Sequence, residues 1–324
     1  MARRKRGRDV DGILLLHKPQ GVTSNGVLQQ VKRLFGAAKA GHTGALDPLA
    51  TGMLPICFGE GTKFSQYLLD SDKRYQTTAK LGIRTDSSDA DGEVVATAEV
   101  GADVTRERIQ QLLDENFTGE IEQVPSMFSA LKFNGQPLYK LARKGIEVEV
   151  KPRKVTIYDI ELLDFRGDEV DLDIRCSKGT YIRSIVEDLG LLLGCGAHVA
   201  KLHRLDAGPF KAAQMMPVEQ IEQLAEMTAA DQGDIQSVQK RLDALLLPIW
   251  TALGPDTPAL TLDAHQTGKI CNGQTVVLNA NQLDSGETDC IKLFADDDRF
   301  LGVGRISEGN KLRAQRLCKT GSSE

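Results

Sequence analysis

Apolar residues recur along this chain with two periods, and each change of period marks a new element. Ile13-Leu14-Leu15-Leu16 is an unbroken apolar run and reads as a short buried strand over Gly12 to His17. Thr23-Ser24 then offers an N-cap, and Val27, Leu28, Val31, Leu34 and Phe35 follow at helical spacing. A loop over 36–52 leads to an apolar strand, Met53 to Phe58, and to a short helix over Gly61 to Leu69. From Lys73 the period drops to two, placing Tyr75, Thr77, Ala79, Leu81 and Ile83 on one face of a half-buried strand. Asp91-Gly92 marks a hairpin turn, and Thr105 caps a helix with Ile109, Leu112, Leu113 and Phe117 on one side.

Pro125, Gly135-Gln136-Pro137 and Gly145 break the 125–152 segment into turns around a short Leu138 to Arg143 pattern, so it reads as an insertion and not as core. Strands resume at Lys154 to Phe165 and Glu169 to Cys176. A helix from Tyr181 to Leu193 turns Ile182, Ile185, Leu189 and either Leu192 or Leu193 inward, and the sheet continues at His198 to Asp206. A mostly polar helical stretch, 217–246, ends at Leu245-Leu246-Leu247-Pro248, and Gly254-Pro255-Asp256 reads as a linker. We place a domain boundary near 250. Beyond it, short strands at Gln274 to Leu278, Cys290 to Ala295, Phe300 to Ile306 and Ala314 to Cys318, with glycines between, suggest a small β-barrel. The chain is thus expected to be α+β, with a mixed, largely antiparallel sheet, flanking helices and a C-terminal barrel.

With 324 residues there is room for two domains, and 41% hydrophobic with 26% charged residues is the balance of a soluble globular chain. No apolar run is long enough to span a membrane, and Met1 to Arg8 lacks the apolar middle of a signal peptide, so a cytoplasmic location is expected. The six cysteines, at 57, 176, 195, 271, 290 and 318, form no Cys-x-x-Cys pair, and the histidines lack metal-ligand spacing. No metal or cofactor is expected.

The net charge of −5 would argue against a nucleic-acid partner if charge were spread evenly. Instead, residues 3–8 form a basic N-terminal arm within 1–10, and the 125–155 stretch gathers Lys132, Lys140, Arg143, Lys144, Lys151, Arg153 and Lys154. There the cations interleave with Phe128, Phe133 and Tyr139, a combination that suits phosphates and unpaired bases.

Three glycines and a proline crowd one carboxylate in Gly41-His42-Thr43-Gly44-Ala45-Leu46-Asp47-Pro48-Leu49-Ala50-Thr51-Gly52. Asp-Pro is also an ordinary turn signal, and the rest of the chain decides between turn and active site. The segment closely resembles the catalytic motif of the pseudouridine synthases of the TruB type. Four further motifs match that family in order. These are Lys18-Pro19-Gln20-Gly21-Val22-Thr23-Ser24, Lys73-Arg74-Tyr75, Ser177 to Arg183 through Gly179-Thr180-Tyr181, and Gly196-Ala197-His198-Val199 with Leu202-His203-Arg204-Leu205. The tail beyond 250 is similar to the PUA domain that follows the catalytic domain in this family.

The resemblance implies that Asp47 is the catalytic carboxylate, that Arg183 pairs with it, and that Tyr75 stacks on the base. Tyr181 and Leu202 would complete the pocket, His42 would fill the gap left when nucleotides flip out, and Lys18 would support the loop or contact RNA. Whether Asp47 adds to C1′, adds to C6 or deprotonates C2′ is open, and each route needs an ionised acid. The resemblance further implies modification of uridine 55 in the T-stem and loop of tRNA without a guide RNA, gripped by a thumb at 125–152, by a catalytic domain over 11–250 with a PUA-like domain over 251–324. A monomer is expected. Two rivals remain, a guide-dependent relative and a tRNA-folding chaperone that acts through binding alone.

Overall fold

The computed structural model describes residues 7–129, 131–146, 148–230, 234–279 and 287–319. The apolar run at 13–16 forms strand β1 (Gly12–Lys18). Helix α1 (Ser24–Leu34) begins at Thr23, whose side chain accepts from the Gly26 N–H and so satisfies one of the free first-turn donors. Strand β2 (Ala40–His42) pairs with β3 (Thr51–Phe58), so the expected 36–52 loop holds a strand of its own. Three residues are too few for a period, and only pairing to β3 defines it. A 3-10 turn (Gly59–Lys63) and helix α2 (Ser65–Leu69) replace the single helix expected there.

Strand β4 (Lys73–Leu81) stops at Gly82, whose φ of +80° breaks the run. Ile83 therefore opens a separate hairpin, β5 (Ile83–Thr85) with β6 (Val94–Thr97), around the expected turn. Helix α3 (Arg106–Asn116) buries Ile109, Leu112 and Leu113. Strand β7 (Gly119–Gln123) runs into the 125–152 segment, which holds the hairpin β8 (Lys132–Phe133) and β9 (Gln136–Pro137) and the short helix α4 (Leu138–Ala142). Strands β10 (Arg153–Arg166) and β11 (Glu169–Cys176), helix α5 (Ile182–Leu192) and strand β12 (Ala197–Ala207) follow. Leu193 is buried while Leu192 is exposed, so Leu193 is the inward leucine. The polar stretch after strand β13 (Met216–Pro217) is two helices, α6 (Val218–Ala230) and α7 (Ile235–Asp243), the second capped by Asp234.

These strands make one mixed sheet in the order β13-β1-β3-β12-β4-β11-β10-β7, with β2 on β3. Only β1–β13 and β3–β12 are parallel. On one face, Leu14, Leu16, Leu54, Ala79, Leu172 and Ile174 pack under α1, α3, α5 and α6. On the other, Ile13, Leu15, Met53 and Cys57 pack against Phe64, Leu68 and two residues of the C-terminal sheet, Phe300 and Val303. Burial on both faces explains why β1 is apolar without alternation.

The C-terminal unit is a five-stranded half-barrel of PUA-like type. Strands β14 (Ala259–Leu262), β15 (Val276–Val277), β16 (Thr288–Ala295), β17 (Phe300–Ser307) and β18 (Lys311–Leu317) lie in the order β14-β16-β17-β18-β15, with helix α8 (Ala264–Cys271) beside them. Strand β14 and α8 have no counterpart in the sequence reading. Asp263 and Gln266 form a capping box at the start of α8, a signal present in the sequence. Residues 1–6 of the basic arm lie outside the described residues. Arg8 belongs to the folded body, because its guanidinium meets both oxygens of Asp243 at 2.6 Å and its Nε donates to the Phe35 carbonyl at 2.8 Å.

Candidate active site

The Lys-Pro-x-Gly-x-Thr-Ser segment is the buttress of the Asp47 loop. Lys18 is fully buried, and its ammonium donates to the carbonyls of Pro19 (2.8 Å), Val22 (2.8 Å) and Pro48 (3.2 Å). Gly21 N–H reaches the Pro48 carbonyl at 2.8 Å. Ser24 Oγ accepts from Leu46 N–H at 2.8 Å and donates to the Leu46 carbonyl at 2.9 Å. Gly44, at φ +92°, is held from the other side by Arg204 Nη2 on its carbonyl at 3.1 Å. With 44, 46 and 48 pinned, the Asp47 side chain is directed into a cleft of 290 Å³. Of the two roles open to Lys18, its geometry favours loop support.

Arg183 enters that cleft from the first turn of α5. Its Nε lies 3.1 Å from Asp47 Oδ2, and its Nη2 donates to Asp47 Oδ1 at 3.3 Å. The guanidinium is almost fully buried, and its remaining donors are taken by the Ser87 carbonyl (2.9 Å), the Phe128 carbonyl (2.9 Å) and Asp89 Oδ2 (3.4 Å). One buried cation thus serves two carboxylates. Asp89 is absent from the sequence reading, which sees in this stretch only the hairpin turn at Asp91-Gly92. It is buried, accepts from Ser87 Oγ at 2.5 Å and sits beside β12 through the Asp89–Val199 bridge.

Burial raises the Asp47 carboxyl above the usual carboxylate range; Arg183 and Lys18 oppose the shift, while Asp89 and Asp91 add to it. Of the two cations that oppose the shift, Arg183 has the larger effect. Burial also pushes the Lys18 ammonium down to about 8, with Asp47 as the largest opposing influence.

Tyr75, Tyr181, Leu202, Asp47 and Arg183 all line this one cleft, together with Lys73, Ser129, Thr180 and Arg204. Burial keeps the Tyr75 phenol protonated by raising its pKa, and Arg204 hydrogen-bonds to it. Arg204, 1% exposed, stands in a motif of the sequence reading but has no role there; its Nε donates to the Met53 carbonyl at 2.6 Å. Gly52 has its reason here, since a Cβ would lie 2.3 Å from the Arg204 carbonyl oxygen. His42 ends β2 and is not among the cleft-lining residues. Its Nδ1 is buried without a hydrogen-bond partner among the described residues, and burial, with Arg204 second, lowers its pKa. Lys132, Lys140, Arg143 and Lys144 are all exposed on the 125–152 segment, and Arg143 lies over the Tyr139 ring at 5.6 Å. Among the described residues no salt bridge engages any of the four. Among the described residues there is also no group of three or more potential metal ligands, and no helix long and apolar enough to cross a membrane.

The fold is shared with solved structures. A chain of a Cbf5-Nop10-Gar1 complex superposes with a TM-score of 0.70 at 25% identity, covering 95% of this chain and 84% of that one. A chain of an H/ACA RNP bound to a substrate RNA containing 2′-deoxyuridine gives a TM-score of 0.69 at 21% identity, covering 98% and 91%. The architecture is that of the pseudouridine synthases, a class of isomerases. In sequence, the model of the TruB family pseudouridylate synthase N-terminal domain matches residues 32–182. Models described as tRNA pseudouridylate synthase B C-terminal domain and pseudouridine synthase II TruB, C-terminal, match 183–254 and 258–318. The chain is 51% identical over 318 residues to tRNA pseudouridine synthase B of Vibrio campbellii, with 98% of each covered. It is 52% identical over 314 residues to the same enzyme of Haemophilus influenzae (strain PittEE), with 97% of each covered. The chain belongs to the TruB family of pseudouridylate synthases, and it is an isomerase.

Proposed function

We propose that this protein converts uridine 55 in the T-loop of tRNA to pseudouridine, without a guide RNA, using Asp47 on a flipped-out base. The observation that carries this reading is the Asp47–Arg183 pair at 3.1 Å, inside a cleft walled by Tyr75, Tyr181 and Leu202. The reaction breaks the N1–C1′ bond, turns the base and rejoins it through C5, without redox change. It needs an ionised carboxylate, a cavity that retains the free base, and exclusion of water. Arg183 supplies the countercharge that keeps Asp47 ionised against its burial. The two tyrosines and Leu202 give the base flat and apolar walls, and the protonated Tyr75 phenol is suited to proton transfer at C5.

Extruding a base from folded RNA costs unstacking free energy that contacts elsewhere must offset. In this reading Lys132, Lys140, Arg143 and Lys144 grip the T-stem and loop, and the 251–324 unit reaches toward the acceptor end. His42 occupies the space vacated in the loop. Their support is exposure and, among the described residues, the lack of salt-bridge partners for the four cations, together with the relatives' identity as tRNA pseudouridine synthases.

The test is incubation of purified protein, without guide RNA, with an unmodified tRNA transcript, followed by single-nucleotide mapping of pseudouridine. One T-loop site that disappears with Asp47→Asn is the expected result. Modification elsewhere would keep the chemistry and reject the substrate. Tight binding with no product would favour the guide-dependent or chaperone alternative.

A further inference from the structure

We propose that Gln123 is a positioning residue for the isomerisation: with the Phe128 carbonyl, it ties the root of the 125–152 insertion to Arg183, so that seating of the insertion sets the Asp47–Arg183 contact. This role rests on the reaction proposed above.

Helix α5 starts at Tyr181 without any side-chain cap. An uncapped start leaves donors free and the first turn without a fixed origin. Gln123, the last residue of β7, instead fixes the residue from which the helix starts. Its Oε1 accepts from Tyr181 N–H at 3.0 Å, and its Nε2 donates to the Tyr181 carbonyl at 3.2 Å. Gln123 is only 2% exposed, so water does not compete for either bond. It does not line the cleft.

The next residues continue the attachment. Ser184 Oγ donates to the Val124 carbonyl at 3.2 Å, and Arg183 Nη2 donates to the Phe128 carbonyl at 2.9 Å. The same Nη2 also reaches Asp47 Oδ1 at 3.3 Å. Its two protons are therefore divided between the catalytic carboxylate and the backbone of the insertion. Displacement of 124–128 removes one of the acceptors that hold the guanidinium plane and frees Arg183 to turn from Asp47. Residues 123–128 thereby link the element proposed to grip RNA to the cation that keeps Asp47 ionised.

The groups facing Asp47 are Arg183 from α5, Asp89 and Asp91 from the β5–β6 turn and Lys18 from β1, with the phenols of Tyr75 and Tyr181 nearby. Among them Arg183 and Tyr181 contact the insertion and its root, and of these two only Arg183 carries a charge that bears on Asp47. Gln123→Met keeps the side-chain volume and removes both bonds. In folded enzyme, verified by thermal melting, it is expected to lower the single-turnover rate about tenfold, the scale of a misplaced reacting group. Affinity for tRNA changes less than about twofold, because no surface contact is lost. The acid limb of the pH–rate profile moves to higher pH, since a misdirected guanidinium no longer opposes the burial of Asp47. Gln123→Glu, which keeps the acceptor for Tyr181 N–H, recovers part of the rate. Unchanged rate and limb in folded Gln123→Met would overturn the proposal. So would a rate loss that only follows the folded fraction, with the limb unmoved. If Gln123→Met does not fold, Ser184→Ala loosens the same root; a limb at its wild-type position would then overturn the proposal. Wild-type enzyme run alongside separates this outcome from failure of the reaction itself, which would show as no Asp47-dependent product at all.

Discussion

At the residue scale, the site is a balance around one guanidinium. Asp47 needs a cation because its surroundings favour the neutral acid, and Arg183 is fixed by acceptors on three separate segments, at 87–89, at 128 and at 47. Asp89 acts on both sides of that balance. It holds Nη1 of Arg183, and its charge pushes the Asp47 pKa up. Asp89→Asn keeps the side-chain shape and removes the charge. A group whose pKa is raised in the folded enzyme loses its ionised form as pH falls through that raised value. Removing Asp89's charge therefore moves the acid limb of single-turnover activity to lower pH, opposite to Gln123→Met. The plateau rate falls by up to about tenfold as Nη1 loses a partner. A limb that stays in place would show that Asp89 does not feel the Asp47 charge.

At the element scale, sheet and insertion divide the work. Strands β4 and β12 pair antiparallel with Tyr75 opposite Arg204 and Leu202 opposite Thr77, so the walls of the cleft are set by sheet register. A slip of one residue would turn Tyr75 and Leu202 to the opposite face. The insertion, by contrast, carries its cations on a hairpin of two-residue strands, a five-residue helix and the turn that follows it, with its root tied to α5 through Arg183 and Ser184. Replacing Lys132, Lys140, Arg143 and Lys144 together with glutamine is expected to weaken tRNA binding and flatten its dependence on log salt by about three, as four lost phosphate contacts require. Filter binding at several salt concentrations measures this. The conversion rate of saturated complex is expected to change little, because the insertion root is left intact.

At the scale of the whole molecule, the two sheets share a core. Phe64, fully buried, lies 5.5 Å from the Phe300 ring of the C-terminal unit, and Ile13, Leu15 and Met53 pack into the same cluster. Phe64→Ala should lower unfolding free energy by about 3–5 kcal/mol. The single Trp250 reports on the joint directly, since its ring faces Phe294 at 6.3 Å and Lys292 at 5.7 Å. Urea unfolding followed by its fluorescence is expected to show a lower midpoint. An unchanged midpoint would mean that the two units do not stabilise each other through this cluster.

Much was legible without coordinates. Period and capping gave most strands and helices, because a half-buried strand or helix must repeat its apolar residues with the backbone. The motifs brought Asp47, Tyr75, Tyr181, Arg183 and Leu202 forward as one site, and the fold gathers them into one cleft. What escaped has physical reasons. Strand β2 and β14 are too short for a period, and Gly82 ends β4 by a backbone angle, which composition does not display. Asp89, Arg204 and Gln123 look like ordinary turn or strand residues, since their roles come from partners distant in the chain, Arg183 for Asp89, Gly44 and Met53 for Arg204, and Tyr181 for Gln123. The sequence by itself determined most of the elements, the family and the charged insertion, all of which are written in local order. Tertiary structure alone decided that Arg183 also faces Asp89 and is held by the Phe128 carbonyl, because hydrogen bonds between distant segments exist only after the sheet has closed around them.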